Sequence, residues 1–378
     1  MKNMLQKIRD FVKKETVLTI AAVLAVISAF FVKPGREYFT YIDWRVLGIL
    51  LSLMVVVAGF QRNGLFDAIG RKLLLKTGNT AQLVGVLVFL CFFSSMLITN
   101  DVALLTFVPF ALTTLQKCHQ ERLIVLVFVL QTIAANLGSM LTPIGNPQNL
   151  YLYNLAGVDM GTFMGWMLPY TAISGFLLLV IVFVLSARRQ KIPVEECSFA
   201  MQQGRDGIRK NMIYLVLFLL SLLVVARLIP YYIMLPVILV VVFWVDREAL
   251  LQVDYCLLLT FICFFIFIGN MGNLPVVRDT LQSLVAGREV GIGIAASQIV
   301  SNVPASLLLS GFTQNYKALT LGVNLGGLGT LIASMASLIS YKIYAHNYNR
   351  TKGIYLLWFT VANVLFLAIL LLIYRFAS

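Results

Sequence analysis

The sequence predicts an all-α polytopic membrane protein built from two inverted-topology repeats, with about 10–11 spanning or half-spanning elements. Three observations support this fold class. The 378 residues are 60% hydrophobic and only 12% charged, with a mean hydropathy of +0.90, far above that of a soluble domain. Apolar runs of roughly 20 residues recur along the chain. A polar phrase also occurs twice inside otherwise apolar sequence.

The apolar runs divide the chain in order. Residues 1–41 hold a basic N-terminal segment and a first span, which we expect to be retained because no small-x-small cleavage site is evident. Repeat 1 covers 42–187, a cytoplasmic loop covers 188–211, and repeat 2 with the last span covers 212–378. The predicted full spans are 17–32, 44–60, 164–186, 211–226, 233–245, 254–269 and 354–374.

Each repeat is predicted to contain a re-entrant helical hairpin, at 80–115 and at 290–316. The first carries ITND at its tip and the second carries SNVP. Lys and Arg flank both ends of 80–115, so the chain enters and leaves on one side of the membrane. Two full spans would give the same charge pattern there, and this alternative stays open. The 290–316 segment is too short for two spans.

An interrupted transmembrane helix follows each hairpin, at 122–155 and at 318–341. Pro143 and Pro147 each remove a backbone donor, so a continuous first helix is not expected. The second copy has glycines at the corresponding place instead. Non-helical backbone at membrane depth is stable only within protein or beside a water-filled cavity. A duplicated break therefore predicts the binding site of a transporter.

The two copies align at Asn136 and Asn324, which also matches Gly138 with Gly326. Upstream, IDWRVLGILL matches VDYCLLLTFI, so both copies open a span with an Asp–aromatic pair. Three predicted spans separate the copies. An odd number of spans reverses the orientation of the second copy, which makes the repeat inverted.

The charge distribution sets the predicted orientation. The net charge is +13, and a cytoplasmic N-terminus places most of the 29 Lys and Arg residues on the cytoplasmic side. We expect a multi-pass protein of the cell membrane, in bacteria the inner membrane. Residues 64–76 are predicted to form an interfacial amphipathic helix, or an ordinary loop helix.

Asp101 is the one acidic residue that this topology does not assign to a loop or a span end. A carboxylate at membrane depth costs about 2.5–3.5 kcal/mol on insertion scales, so Asp101 is a candidate for coupling to H⁺ or Na⁺. Its alternative role is to cap the returning arm of the hairpin. The predicted solute- and ion-binding residues are the polar groups and glycines of the tips and breaks: Thr99, Asn100, Asp101, Thr142, Gly145, Asn146, Gln148, Asn149, Ser301, Asn302, Gly326, Gly327, Thr330, Ser334 and Ser337.

These polar side chains could instead serve only to satisfy local backbone groups. If Na⁺ is the coupling ion, we expect it at Asn100, Asp101 and Asn146, on the side of the first repeat. No Lys or Arg falls within 80–115, 123–187 or 318–341, so a polyanion would need co-bound cations. A neutral hydroxylated solute, or a cation exchanged for a proton, is more compatible with segments that contain no Lys or Arg.

Other classes of protein are disfavoured. Five cysteines without CxxC spacing and two histidines in basic loops predict no metal site and no cofactor. HExxH, a second deep carboxylate and GxxxxGK[ST] are missing, so neither an intramembrane protease nor an ATP-driven pump is expected. No polybasic tail points to nucleic acid. A passive channel remains an alternative.

The segments ITNDVALLTFVPF, TPIGNPQNLYLY, SNVPASLLL and NLGGLGTLIASMASLISYK resemble the ion transporter superfamily. The resemblance is to its arsenite-permease/NhaD-type antiporter branch, with its citrate-transporter-like bacterial members, and covers about residues 40–345. It implies two inverted repeats that meet at one site, a homodimer, and an elevator motion. The site would join residues 99–101 and 142–149 to Ser301, Asn302 and residues 326–337.

The resemblance implies a secondary active transporter, coupled to H⁺ or Na⁺, for an arsenite-like oxyanion or hydroxide or for a carboxylate. The Thr-Asn-Asp tip is closer to the arsenite-permease pattern. The TPIGNPQN loop is instead similar to the Na⁺ loop of carboxylate carriers. A Na⁺/H⁺ antiporter is the alternative function.

Overall fold

The structure, a computed structural model, describes residues 15–185 and 205–377, together with a few single positions before residue 15. Within these ranges no β-strand is assigned, and the secondary structure is helical. Six of the described helical segments are long and apolar enough to cross a membrane, so the chain is a multi-pass membrane protein. They are Trp44–Arg62, Glu121–Ser139, Met160–Val184, Asp206–Val225, Tyr255–Gly272 and Asn349–Phe376. Most of the predicted loop 188–211 lies outside the described residues.

We number the helices in chain order and leave out the single turn Tyr38–Tyr41 and two short 3₁₀ segments. The helices are α1 (Thr16–Phe31), α2 (Trp44–Arg62), α3 (Leu65–Leu74), α4 (Thr80–Ser94), α5 (Asn100–Lys117), α6 (Ile124–Ser139), α7 (Pro147–Ala156), α8 (Met160–Leu185), α9 (Arg205–Val225), α10 (Tyr231–Leu250), α11 (Tyr255–Gly272), α12 (Pro275–Val285), α13 (Glu289–Val300), α14 (Asn302–Ser310), α15 (Tyr316–Leu325), α16 (Met335–Asn347) and α17 (Lys352–Ala377).

Helices α2 and α11 begin in the same way. The Asp43 carboxylate accepts the backbone N–H of Val46, and that of Asp254 accepts the N–H of Leu257, each at 3.0 Å. These are N-caps, for which Asp is favoured. Helix α1 packs against α11 and α10 packs against α2. The end of α2 lies near the start of α11, because Arg62 forms an ion pair with Asp246, eight residues before Asp254. The start of α2 lies near the end of α11, because Asp43 and Gly269 line one cavity, so the two helices run antiparallel.

Two helix–break–helix units lie where hairpins are predicted. In the first, residues 95–99 separate α4 from α5; in the second, Ser301 alone separates α13 from α14. Helix α14 ends at Ser310 rather than at 316. The reason is that the Asn315 side chain caps the next helix by accepting the Ala318 N–H, so α15 begins at Tyr316.

The two predicted interruptions are helix breaks at 140–146 and 326–334. Several bounds differ from the prediction: α16 continues to Asn347, beyond 341, and α10 covers Tyr231–Leu250 rather than 233–245. The segment 64–76 contains helix α3, with Ile69 and Leu73 exposed and Phe66 and Leu74 buried. Its position at the membrane interface stays a prediction.

Candidate functional site

Each hairpin tip is tied to the helix break of its own repeat. The Asn100 backbone N–H donates to the Gly145 carbonyl at 3.1 Å, and the Asn302 N–H donates to the Ala333 carbonyl at 3.0 Å. Both Asn side chains are buried, and each Oδ1 accepts the next backbone N–H, also at 3.0 Å. The two tips therefore share these hydrogen bonds, but they differ at the residue before each Asn, since Thr99 has φ −64° and Ser301 has φ +74°.

The central asparagines of α6 and α15 tie the two repeats to each other. Asn136 Oδ1 accepts from Asn100 Nδ2 and from the Ser334 hydroxyl, each at 3.0 Å. Its Nδ2 donates to the Gly327 carbonyl and to Ser337 Oγ, each at 3.4 Å. Asn136 thus contacts the tip of its own repeat and the first turn of the interrupted helix in the other.

Asn324 makes the corresponding contacts with the first break, although within the described residues no hydrogen bond joins its side chain to Asn302. Its Oδ1 accepts from Asn146 Nδ2 at 3.1 Å, and its Nδ2 donates to Asn149 Oδ1 at 2.7 Å. In the repeat alignment, Asn146 corresponds to Ser334 and Asn149 to Ser337. The two breaks are therefore joined by equivalent hydrogen bonds running in opposite directions, and we call these the reciprocal asparagine bonds.

The predicted glycines lie where another group approaches the backbone closely. A Cβ on Gly145 would lie 2.0 Å from the Ser139 carbonyl oxygen, and one on Gly327 would lie 3.0 Å from Asn302 Nδ2. A Cβ on Gly326 would lie 2.6 Å from the Ser297 hydroxyl. These positions require glycine for packing, whether or not their carbonyls also bind an ion.

Two predicted threonines bind the hairpins instead of facing an open site. The Thr142 hydroxyl donates to the Met96 carbonyl. The equivalent Thr330 hydroxyl donates to the Gln298 carbonyl at 3.5 Å, and its N–H donates to Gln298 Oε1 at 2.9 Å. The alternative of a structural role fits both residues.

Gln148 and Ser301 are predicted site residues with unusual local settings. Gln148 is 1% exposed, and both its amide atoms have no hydrogen-bond partner in the described part of the chain. Buried polar groups are normally paired, so the Gln148 amide is an exception to this rule. Ser301 has φ +74°, which is rare for a residue with a Cβ and marks a strained tip.

Asp101 lies in the first turn of α5 and reaches a cavity of about 220 Å³. Among the described residues its carboxylate accepts no hydrogen bond, so the capping role is not seen. Thr99 and Asn146 line the same cavity, as do Gln61, Gln252 and Asp254 nearer its mouth. The described residues that line it include two carboxylates and no Lys or Arg. The remaining wall is apolar.

A second cavity occupies the corresponding place in the other half. Asp43, Tyr151 and Phe265 line it, at positions equivalent to Asp254, Ile339 and Met54 of the first cavity. It does not reach the second tip. The Tyr151 hydroxyl is hydrogen-bonded to Ser310 Oγ at 2.8 Å, and its ring packs against Phe265 at 5.5 Å between centroids. This second cavity, of about 370 Å³, therefore has aromatic side chains in its wall and stays separate from the second tip.

Residues 6–318 match the sequence profile of the family described as Citrate transporter. The chain belongs to this family. The match covers the first repeat, both tips and the start of α15, which includes the Asp101 cavity except for Ile339.

Relatives of this citrate transporter family member include other transporters. An uncharacterized transporter of Methanocaldococcus jannaschii is 32% identical over 350 residues, which are 90% of this chain and 91% of that protein. The inner membrane protein YbiR of Escherichia coli is 29% identical over 308 residues, 80% of each chain. The silicon efflux transporter LSI3 of Oryza sativa subsp. japonica is 30% identical over 151 residues, 40% of this chain and 30% of that protein.

In this citrate transporter family member, the sequence-based site lacks three residues that the structure places at its centre or entrance. Asn136 and Asn324 anchor the repeat alignment, and a polar amide inside an apolar helix was a usable signal for both. The predicted topology assigns Asp254 to a span end, and the structure places it at the start of α11. Nothing in the sequence shows that Asp254 also lines the Asp101 cavity.

Proposed function

We propose that this protein is a secondary active transporter that moves a small solute in exchange for, or together with, H⁺ or Na⁺. The observation that carries the proposal is the junction of the two helix breaks, by the reciprocal asparagine bonds, at the end of a cavity that contains Asp101. Membership of the citrate transporter family supports a transporter rather than an enzyme.

We also propose that the two helix–break–helix units are re-entrant hairpins of inverted repeats. The antiparallel α2 and α11, with equivalent Asp caps, support the inversion. So does the equivalence of the tip bonds at Asn100 and Asn302. An elevator motion would then carry the two breaks past α2 and α11.

The lining of the cavity favours an uncharged hydroxylated solute over a free polyanion. Two carboxylates without a fixed cation repel an anion, whereas hydroxyl groups can pair with amides such as Gln61 and Asn146 in the cavity wall. The rice relative is named a silicon efflux transporter, and because dissolved silicon is an uncharged hydroxylated acid in neutral water, this name agrees with such a solute. Citrate, named by the family, would need cations bound with it.

Na⁺/H⁺ antiport is the second candidate function. Asp101 and Asp254 line one cavity, and carboxylate and amide oxygens suit a hard cation. In this case Na⁺ itself would be the transported solute, and H⁺ would compete for Asp101.

Uptake into proteoliposomes separates these functions. Silicic acid, arsenious acid, citrate and Na⁺ would be supplied in turn under imposed pH or Na⁺ gradients. We expect saturable, gradient-driven flux of one solute, and at least a tenfold loss with a flattened pH profile for Asp101→Asn. The exposed Asp279 supplies a matched control, Asp279→Asn, with unchanged flux. A flux that does not saturate would indicate a channel, and an unchanged pH profile for Asp101→Asn would rule out proton coupling there.

A further inference from the structure

We propose that Asp254 and Lys342 form an ion pair at the mouth of the Asp101 cavity in a second state of the protein, in which the cavity no longer reaches Asp101. The pair deepens the transporter function proposed above, because only a protein that alternates between two states needs it. It would act as a positioning contact and would not bind the solute.

The first support is an equivalent contact in the other half. Asp43 corresponds to Asp254, and Asn154 corresponds to Lys342 when Asn146 is aligned with Ser334. Asp43 Oδ2 accepts a hydrogen bond from Asn154 Nδ2 at 2.6 Å, which fastens the start of α2 to α7. Within the described part of the chain no ion pair joins Asp254 to Lys342, and both are exposed.

The second support is the position of Lys342 on α16. Ile339 lines the Asp101 cavity, and Lys342 follows it by three residues, so both lie on one face of the helix. Helix α16 runs toward the side where the cavity opens, since Tyr348, just beyond it, is hydrogen-bonded to Gln116 near the end of α5. Asp254 lies at this same mouth.

The third support is that the two paths differ in the way two alternating states require. Tyr151 and Phe265 pack together where Asp43 is bonded to Asn154. Their counterparts Ile339 and Met54 instead line a cavity that reaches Thr99 and Asp101 at the first tip, and Asp254 there is unbonded to Lys342. Exchange of these arrangements would extend the cavity beside Asp43 to the second tip, separate the first cavity from Asp101, and bring the two opposite charges together.

Cysteine cross-linking tests the pair without any transported solute. All five native cysteines would first be replaced. In liposomes under mild oxidation, the double variant Asp43→Cys/Asn154→Cys should cross-link rapidly, because that contact exists in the present state. Asp254→Cys/Lys342→Cys should cross-link more slowly, whenever the second state forms. Failure of the second pair to cross-link while the first does so would overturn the proposal.

Charge variants give an independent readout. Val102 lines the inner part of the cavity next to Asp101, so a single Val102→Cys reports access to Asp101 through the rate of reaction with a hydrophilic maleimide. Asp254→Asn, which keeps a capping side chain, and Lys342→Gln should each raise that rate by about two- to fivefold, as expected for loss of an ion pair of modest strength. The exchange Asp254→Lys/Lys342→Asp should restore it, and Asp279→Asn should leave it unchanged.

The ion pair would be refuted if neither Asp254→Asn nor Lys342→Gln changed the rate of the maleimide reaction, or if the charge exchange did not restore that rate. Neither readout depends on which solute is carried. A positive cross-linking result with no flux in the uptake experiments would therefore reject the proposed function alone.

Discussion

Replacing Ser334 with Ala should weaken the contact between the two repeats, and the effect should vanish once Asn136 is already Leu. The Ser334 hydroxyl is buried and lies 3.0 Å from Asn136 Oδ1. Ser334 precedes α16 but makes no side-chain capping bond there. Among the described residues its hydroxyl therefore serves one hydrogen bond, and the substitution removes that bond alone.

The expected magnitude follows from the distance and from the setting. Interhelical hydrogen bonds in membrane proteins contribute on average about 0.6 kcal/mol, with a maximum near 1.7 kcal/mol. At 3.0 Å between fully buried groups, this bond belongs in the range of about 0.6–1.7 kcal/mol. The 3.4 Å contacts of Asn136 Nδ2 are counted as nothing, because hydrogen bonds of that length are weak.

A double-mutant cycle measures the free energy of the hydrogen bond between Ser334 and Asn136. Free energies of unfolding would be determined by reversible SDS titration in mixed micelles for Asn136→Leu, Ser334→Ala and the double variant. Thr330→Val is the matched control: Thr330 lies in the same break but bonds Gln298, so its cycle with Asn136→Leu should be additive within about 0.3–0.5 kcal/mol. A coupling between Asn136 and Ser334 no larger than that of the control would refute the reciprocal asparagine bonds.

Two further outcomes are expected. Gly138→Ala should lower the free energy of unfolding by about 1–3 kcal/mol, because the added Cβ would lie 2.1 Å from the Phe92 carbonyl oxygen. Gly165 has open space around it, so the control Gly165→Ala should be nearly neutral in the same SDS titration. Hydrogen bonds from the Thr162 hydroxyl and N–H lower the pKa of Asp159, so the capping of α8 is complete at neutral pH and is lost as the pH falls through that lowered pKa. Amide hydrogen exchange in the first turn of α8, corrected for intrinsic rates, should therefore rise on acidification, and protection unchanged down to pH 2 would contradict this.

The sequence was sufficient for features with local causes. Pro143 and Gly145 lie in the first break, Pro147 directly follows it, and three glycines lie in the second, so their clustering placed the breaks near residues 140 and 326. Residue type alone would not have sufficed, because Pro109 and Pro169 lie inside continuous helices. The end of the second hairpin could not be placed in this way, because it depends on Asn315 capping α15, one of several polar residues that could have done so. Helix bounds were accordingly predicted less well than helix breaks.

Contacts between distant segments were beyond such reasoning. The repeat alignment identifies Asn136, but it does not predict the hydrogen bond of Asn136 with Ser334, which lies 198 positions away in the sequence. Thr142 and Thr330 were predicted as ligands on type and position, and only their contacts with the hairpins show a competing use for their hydroxyls. Asp254 is a candidate functional residue because it lines the Asp101 cavity, and the sequence around it does not show this.

The pattern of agreement between the halves indicates which parts of the molecule would move. The reciprocal asparagine bonds are alike in both halves, so they define a centre that can stay intact while the protein changes state. The contacts of α2 and α11 with that centre are unlike: Asp43 is bonded to Asn154, whereas Asp254 is not bonded to Lys342. Because a symmetric pair of states must exchange its unlike contacts and keep its like ones, the motion should occur between the centre and α2 with α11. Variants at Asn136 should then change stability in both states equally, and variants at Asp254 should change the balance between them.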